Sequence, residues 1–273
     1  AGGDPFASLE GLGELQVSDG ALAVLAPELG VDIRVPKIDL RLQVNGDRVR
    51  AGLRAWPQSA NGAAVAPVDA MLDFDHRRGN GRAYAQADRI DLAPWSSLLK
   101  TMGVSVQAGQ GQAKAWLDLQ DKRVVDVRLD AALDKVVLVG STIAANDADG
   151  VATIAGQIPV ARIDRVATRA RWQRIDGGWR LDVPRLGLDM QGGQYNFDSL
   201  LLAAGGPKAV AARHVDIAQL ASIALLSDRL SPSLRRWLLQ ARPRAVLEGL
   251  DLQGRRGGPM HARVRIDGFG FEP

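Results

Sequence analysis

Ile38-Asp39-Leu40-Arg41-Leu42-Gln43-Val44 alternates aliphatic and polar residues without a break. In an extended chain successive side chains leave opposite faces, so this stretch makes a strand with one greasy face and one wet face. Val125-Asp126-Val127-Arg128-Leu129-Asp130-Ala131-Ala132-Leu133 carries the same pattern further, and Val68–Asp75, Ala113–Gln120 and Ala262–Asp267 repeat it. Long antiparallel strands with one solvated face are the reading. Turn chemistry separates the runs. Asn45-Gly46 lies between the opening stretch and Val49–Trp56, a hairpin by sequence, and Asn80-Gly81, Asp176-Gly177 and Asp19-Gly20 offer the same cheap positive φ. Gly-Gly pairs at 192–193, 205–206 and 257–258 mark further turns. The count comes to roughly 14 to 17 strands, mostly of roughly 6 to 11 residues.

Three segments break the alternation. Pro94 followed by Trp95, Leu98, Leu99 and Met102 at helical spacing predicts a short helix near 94–102. Asp216 as a cap before Ile217, Leu220, Ile223 and Ala224 predicts a second near 216–227. Ser231-Pro232 opens a third near 232–240, with Leu234, Trp237 and Leu238 on one stripe. The chain also resembles itself. Ala87–Trp95 aligns with Ala212–Leu220, each a strand that ends in an aliphatic-Asp-aliphatic-Ala step, and Leu117-Asp118-Leu119-Gln120 returns as Leu250-Asp251-Leu252-Gln253. Val35–Leu40 and Val183–Leu188 form another pair. A repeated module follows: residues 1–150 as a first β-groove module with the helix near 94–102, and residues 151–273 as a second with the helices near 216–240. The fold class is mainly β, a long twisted antiparallel sheet bent into a groove or open barrel, with two or three short helices.

Composition narrows function by exclusion. The chain has 273 residues, 46% hydrophobic and 24% charged, an ordinary globular balance. Its 30 Gly and 13 Pro exceed the usual share and favour many turns. A net charge of +3 from 34 basic and 31 acidic residues gives no footprint for nucleic acid. The absence of Cys excludes a disulfide scaffold, thiol chemistry and Cys-ligated metals. No apolar run approaches the ~18 residues of a membrane span. The chain starts Ala-Gly-Gly-Asp without Met, which reads as a piece of a longer protein whose anchor or export signal lies outside it.

No reactive constellation emerges. His76, His214 and His261 are far apart and lack ligand spacing, so no metal site is expected, and His76 reads as part of a solvated turn. No Gly-x-Ser-x-Gly occurs, and the acidic residues fall at alternating strand positions on the wet face, so neither catalysis nor a cofactor is expected. Arg235, Arg236, Arg242, Arg244, Arg255 and Arg256 form a basic cluster that could meet lipid phosphates, although a solvated helix face is the plainer reading. Aromatic residues are only 5% of the chain, leaving a face of Leu, Val, Ile and Ala that suits sliding alkyl chains as well as static packing. Six Trp leave a carbohydrate-binding module as an alternative.

Several residues carry a family likeness in order: Arg82-Ala83-Tyr84, Ile90–Leu99, Gly111–Leu117, Arg171-Trp172, Gly178–Leu181, Val215–Leu220 and Arg242–Leu250. Over roughly Leu12 to Phe269 the chain resembles the YhdP branch of the AsmA-like proteins of Gram-negative bacteria. It departs from them at Gln194-Tyr195-Asn196 and in the Asn146–Asp149 loop. The resemblance implies a periplasmic protein anchored in the inner membrane by a helix outside this chain. Such proteins resemble bridge-like lipid transporters, in which an apolar β-trough passes phospholipid acyl chains between inner and outer membranes. Phospholipids are then the expected ligand, with outer-membrane or periplasmic proteins as further partners. The alternative is a periplasmic scaffold in outer-membrane assembly. On the period of two, Leu40, Leu42, Leu72, Phe74, Leu117, Leu119, Val127 and Leu129 face the lipid, while Arg41, Gln43, Asp73, Asp118 and Arg128 face water. About 15 strands at ~4.8 Å would give a trough on the order of 70 Å.

Overall fold

A computed structural model describes residues 13–26, 31–57, 66–93, 96, 100–101, 103–146, 152–190, 193–255 and 257–271. The first part of the chain forms β1 (Glu14–Ala26), β2 (Val31–Asn45), β3 (Arg48–Trp56), β4 (Val68–Asp75), β5 (Asn80–Asp91), β6 (Lys100–Thr101), β7 (Val104–Gln120) and β8 (Arg123–Val139). There follow β9 (Ile143–Asn146), β10 (Ala152–Gln157), β11 (Val160–Ile175), β12 (Gly178–Met190), β13 (Gly193–Gly205) and β14 (Pro207–Asp216). Two helices, α1 (Ile217–Ala224) and α2 (Pro232–Ala241), precede β15 (Pro243–Arg255) and β16 (Met260–Phe271).

Thirteen strands lie in a single antiparallel row in chain order, with β6 added at the side of β7 and β9–β10 forming a separate hairpin. The row begins at β1 and ends at β16, which do not pair, so the sheet stays open rather than closing into a barrel. The predicted mainly β architecture is therefore what the chain adopts. Its strands are longer than the sequence suggested, with β7 and β8 each running 17 residues. The added length comes from bulges that let alternation continue where the pattern stumbles. Asp19, at φ 54°, and Gly20 form no hairpin but bulge β1 against β2. Asn80-Gly81 likewise belongs to β5, and the reversal is made by His76–Gly79 instead. At the first hairpin Asn45 pairs with Arg48, leaving Gly46-Asp47 as the turn.

His76 is the clearest departure from a solvated turn. It is buried, its backbone N–H donates to Asp47 O at 2.9 Å, and its ring Nε2 lies 3.4 Å from Gly46 O. Neighbouring tips are tied in the same way, Lys122 N donating to Gly79 O and Asp121 N to the Asn80 side chain. Stacked turns satisfy one another's backbone groups, which is why a histidine expected in water ends up covered.

The helices near 216–227 and 232–240 are α1 and α2. Asp216 caps α1 through Ala218 N at 2.9 Å, and Ser231 caps α2 through Leu234 N with Pro232 at the first turn. Of the helix predicted near 94–102, Pro94, Trp95, 97–99 and Met102 lie outside the described residues. Lys100–Thr101 is strand, paired with Val104–Ser105 across a tight turn at Gly103. The proposed division near 150 also falls outside the described residues, while β8 and β11 on either side pair over most of their length. The self-similarity has a local counterpart: Asp91 accepts from Ala93 N just as Asp216 accepts from Ala218 N.

The main core lies on the apolar face of the second half. Val136, Ile163, Leu188, Phe197, Ala212 and Val215 are buried there, with Leu220 and Ile223 of α1 packed over them. The end of α1 is pressed on the end of β8, where Leu226 Cα would lie 2.5 Å from a Cβ on Gly140. Only glycine permits that approach. A smaller cluster, Val35, Ile38 and Ala55, sits at the other side of the sheet.

Candidate functional site

Register fixes which side chains share a face. Leu40 pairs with Leu53 and Leu42 with Ala51; Ala51 pairs with Leu72, and Val49 with Phe74. Leu72 pairs with Ala83 and Ala83 with Leu117, which pairs with Val127; Ala115 pairs with Leu129. Gly81 lies between Phe74 and Leu119. Directly paired residues point to the same side, so Leu40, Leu42, Leu72, Phe74, Leu117, Leu119, Val127 and Leu129 all stand on one face. The row continues without a change of phase through Trp172, Leu181, Leu202, Val210 and Leu252.

Over β2–β8 this face is unevenly covered: Ile38, Val44, Val49, Ala55 and Ala87 on it are buried, and Val136 of β8 belongs to the main core. Seven of the eight predicted side chains are half-buried, and Leu129 is 37% exposed. The helices lie elsewhere, α1 against β14 and β15, α2 against β9. The result is an apolar strip, six strands wide, that reaches solvent but is screened by its own neighbours.

The opposite face is charged. Arg41, Gln43, Asp73, Asp118 and Arg128 stand there, one residue out of phase with the leucines. Arg48 grips Asp73 through Nε and Nη2, each at 2.6 Å, and Arg54 grips Asp69 at 2.7 Å. Those hydrogen bonds hold both carboxyls below the usual carboxylate range against a slight opposing effect of burial. At the junction of the two halves Asp126 is buried, which by itself would raise its pKa. Hydrogen bonds from Arg171 Nε at 2.8 Å and Gln173 Nε2 at 3.0 Å more than offset this and bring it below the ordinary value. These ladders fix register and keep one face wet; exposed pairs of this kind contribute about 0–1 kcal/mol each.

The basic cluster does not assemble as one patch. Arg235 is buried, with Nε donating to Leu225 O at 2.8 Å and Nη2 to Ser141 O at 2.6 Å, and it clamps the helices to the end of β8. Arg242 is the left-handed C-cap of α2, and Arg256 lies outside the described residues. What the sequence reading missed is on the charged face: a cavity of about 870 Å³ with Met71, Tyr84 and Trp116 at its floor. Its signal was available, since Trp116 falls between Ala115 and Leu117 and so is out of phase with the aliphatic row.

Among the described residues no group of three His, Asp or Glu is placed to hold a metal ion, and no helix is long and apolar enough to cross a membrane. The family model described as YhdP protein matches residues 3–273. This chain belongs to the YhdP family. That places it among AsmA-like proteins of the bridge-like lipid-transport type, a membrane-associated envelope family not known for catalysis. Neither the curated proteins nor the solved structures contain a match to it.

Proposed function

We propose that this YhdP-family chain binds phospholipid acyl chains along the apolar face of β2–β8, as one segment of a periplasmic path between the inner and outer membranes. The observation that carries the reading is the unbroken apolar row across register-paired strands, whose eight named side chains all stay partly exposed. An alkyl chain laid there removes apolar surface from water on both partners at about 25 cal/mol per Å². It asks for no polar partner, which fits a face of Leu, Val and Ala. The headgroup would stay at the margin of the sheet, in water. Membership of the YhdP family supports the same reading, as does an open sheet, because a closed barrel would have to part to admit a chain.

Thirteen strands in a row span about 58 Å from edge strand to edge strand, shorter than the sequence estimate because β6, β9 and β10 do not extend the row. A segment of that length holds lipid without joining two membranes. The purified chain is therefore expected to carry phospholipid in native mass spectrometry yet not to transfer it between vesicles. Photo-crosslinkers at Leu40 and Leu117 are expected to capture lipid, and those at Arg41 and Asp118 are not. Leu129→Asp places a carboxylate where burial under an alkyl chain costs several kcal/mol, but at 37% exposure it can be solvated in the lipid-free protein. The variant should fold and lose lipid. Equal capture from both faces, or a Leu129→Asp protein that retains its lipid, would overturn the proposal.

A further inference from the structure

The charged face holds a feature that a lipid-carrying sheet does not require. Arg41, Gly52, Met71, Tyr84, Trp116 and Arg128 are direct neighbours in one transverse row over β2, β3, β4, β5, β7 and β8. The flanking rows on this face are charged or amide side chains, Arg50, Asp73 and Arg82 on one side and Asp69, Gln86 and Lys114 on the other. Here an exposed thioether and two rings lie side by side: Met71 is 63% exposed, Trp116 40%, and the Tyr84 and Trp116 rings are 5.3 Å apart at 42°. Gly52 leaves open space beside Met71, with nothing within 4 Å of where a Cβ would be. The floor and its rim enclose the 870 Å³ cavity.

We infer that this cavity is a second binding site, on the face opposite the lipid strip, and that its ligand is an uncharged saccharide. The floor spans two strand spacings, about 10 Å, the length of a disaccharide. The C–H bonds on a pyranose face carry slight positive charge and pack on the negative faces of indole and phenol rings. Beside the floor runs the adjacent row Gln43, Arg50, Asp73, Arg82 and Asp118, in which amide and guanidinium donors alternate with carboxylate acceptors. That is the array a ring of hydroxyls needs, since each hydroxyl both donates and accepts. The ion pairs within it are long, 3.6 Å for Arg50–Asp73, 3.4 Å for Arg82–Asp118 and 4.0 Å for Arg128–Asp118. Arg48–Asp73, outside the cavity's lining, is by contrast 2.6 Å. Arg50, Arg82 and Asp118, held at these longer distances, keep hydrogen-bonding capacity for a ligand, whereas Asp73 is gripped by Arg48 and Gln43 donates to Glu14. The lining carries four arginines against two aspartates, so an anion is the competing ligand that the charged comparators test.

The test is saturation-transfer NMR on the whole chain with cellohexaose, maltohexaose and chitohexaose, and with inorganic phosphate and a heparin hexasaccharide as charged comparators. At least one neutral hexasaccharide should bind saturably and at least tenfold more weakly to Trp116→Ala. Arg82→Gln should weaken it as well, while Trp237→Ala and Leu129→Asp should leave it unchanged. Thermal melting of each variant separates a lost site from a lost fold, and Arg82, at 87% side-chain exposure, supplies the variant least able to disturb the fold. Binding by none of the three neutral sugars, binding of the charged comparators alone, or sugar binding that survives Trp116→Ala would overturn the inference. Because the site lies on the other face, its failure leaves lipid capture at Leu40 and Leu117 untouched.

Discussion

The two halves of the sheet share one alternation and differ in what lies over it. Over β2–β8 the row from Leu42 through Leu72 and Leu117 to Val127 is half-buried, although Val44, Val49, Ala55 and Ala87 of the same face are buried. Over β12–β14 the in-phase row of Leu181, Leu202 and Val210 is half-buried as well, but further along those strands Leu188, Phe197 and Val215 are sealed, at 3%, 2% and 1% exposed, beneath Leu220 and Ile223 of α1. Residue type does not explain the contrast, since Leu, Val and Ala line both regions. One connection does. β2 joins β3, and β7 joins β8, through two-residue turns, as β11 joins β12, while much of the longer β3–β4 and β5–β7 connections lies outside the described residues. Between β14 and β15, residues 217–242 fold into α1 and α2 and cover the strands beside them. Period-two patterning fixes which face is apolar, and over β14 and β15 the helices folded from the connection make that face a core.

The sharpest way to break this contrast is to truncate matched side chains in the two halves. Phe197→Ala should cost about 3–5 kcal/mol, because it opens a cavity under a sealed layer. Leu72→Ala in the first half should cost about 1 kcal/mol, because its side chain already meets solvent. Urea denaturation of the two variants measures both, and equal losses would mean that the first half is a closed core.

Arg235 holds the cover in place and gives the next effect. Its guanidinium is buried, and burial pushes its pKa down, with Asp228 partly offsetting this. Arg235→Met should leave Leu225 O and Ser141 O without their donor, at about 1–3 kcal/mol. Amide exchange should then quicken in α1 and α2 and stay unchanged in β3–β5. Uniform quickening through the sheet would show that the cover and the strands unfold as one unit.

Sequence reading reached the sheet, the shared face and both helix caps because each depends on local pattern: period two, direct pairing, and Asp or Ser before a helical stripe. It failed where the deciding contact is distant. Nothing around Arg235 announces that carbonyls at 225 and 141 will take its nitrogens, and a basic cluster on a helix reads as solvated until they do. His76 was misplaced for the same reason, since the turn that covers it belongs to another hairpin. Asn80-Gly81 misled differently: its turn propensity was overridden by pairing with Asp75 and Phe74. The floor of Met71, Tyr84 and Trp116 was legible by phase alone, but only register shows that these three residues, from separate strands, lie side by side.

The smallest expected effect lies at the seam between the halves. Asp126 of β8 accepts from Arg171 and Gln173 of β11 and has Arg128 Nε at 3.5 Å from its second oxygen. Its pKa is lowered in the folded chain, so it releases its proton more readily folded than unfolded. The stability this contributes is fully present above the unfolded value, about 3.9, and is lost as pH falls through the lower folded value. Between pH 5 and 8 its contribution should therefore be flat, and acid unfolding should steepen below about pH 4. Asp126→Asn keeps the shape and removes the titration. It should lower stability at pH 7 modestly and flatten the acid limb, and the two proteins should converge near pH 2. Since the pair joins β8 to β11, the loss at pH 7 should appear in amide exchange on both sides of the seam. A loss confined to one side would mean that the two halves unfold independently, with Asp126 belonging to only one of them.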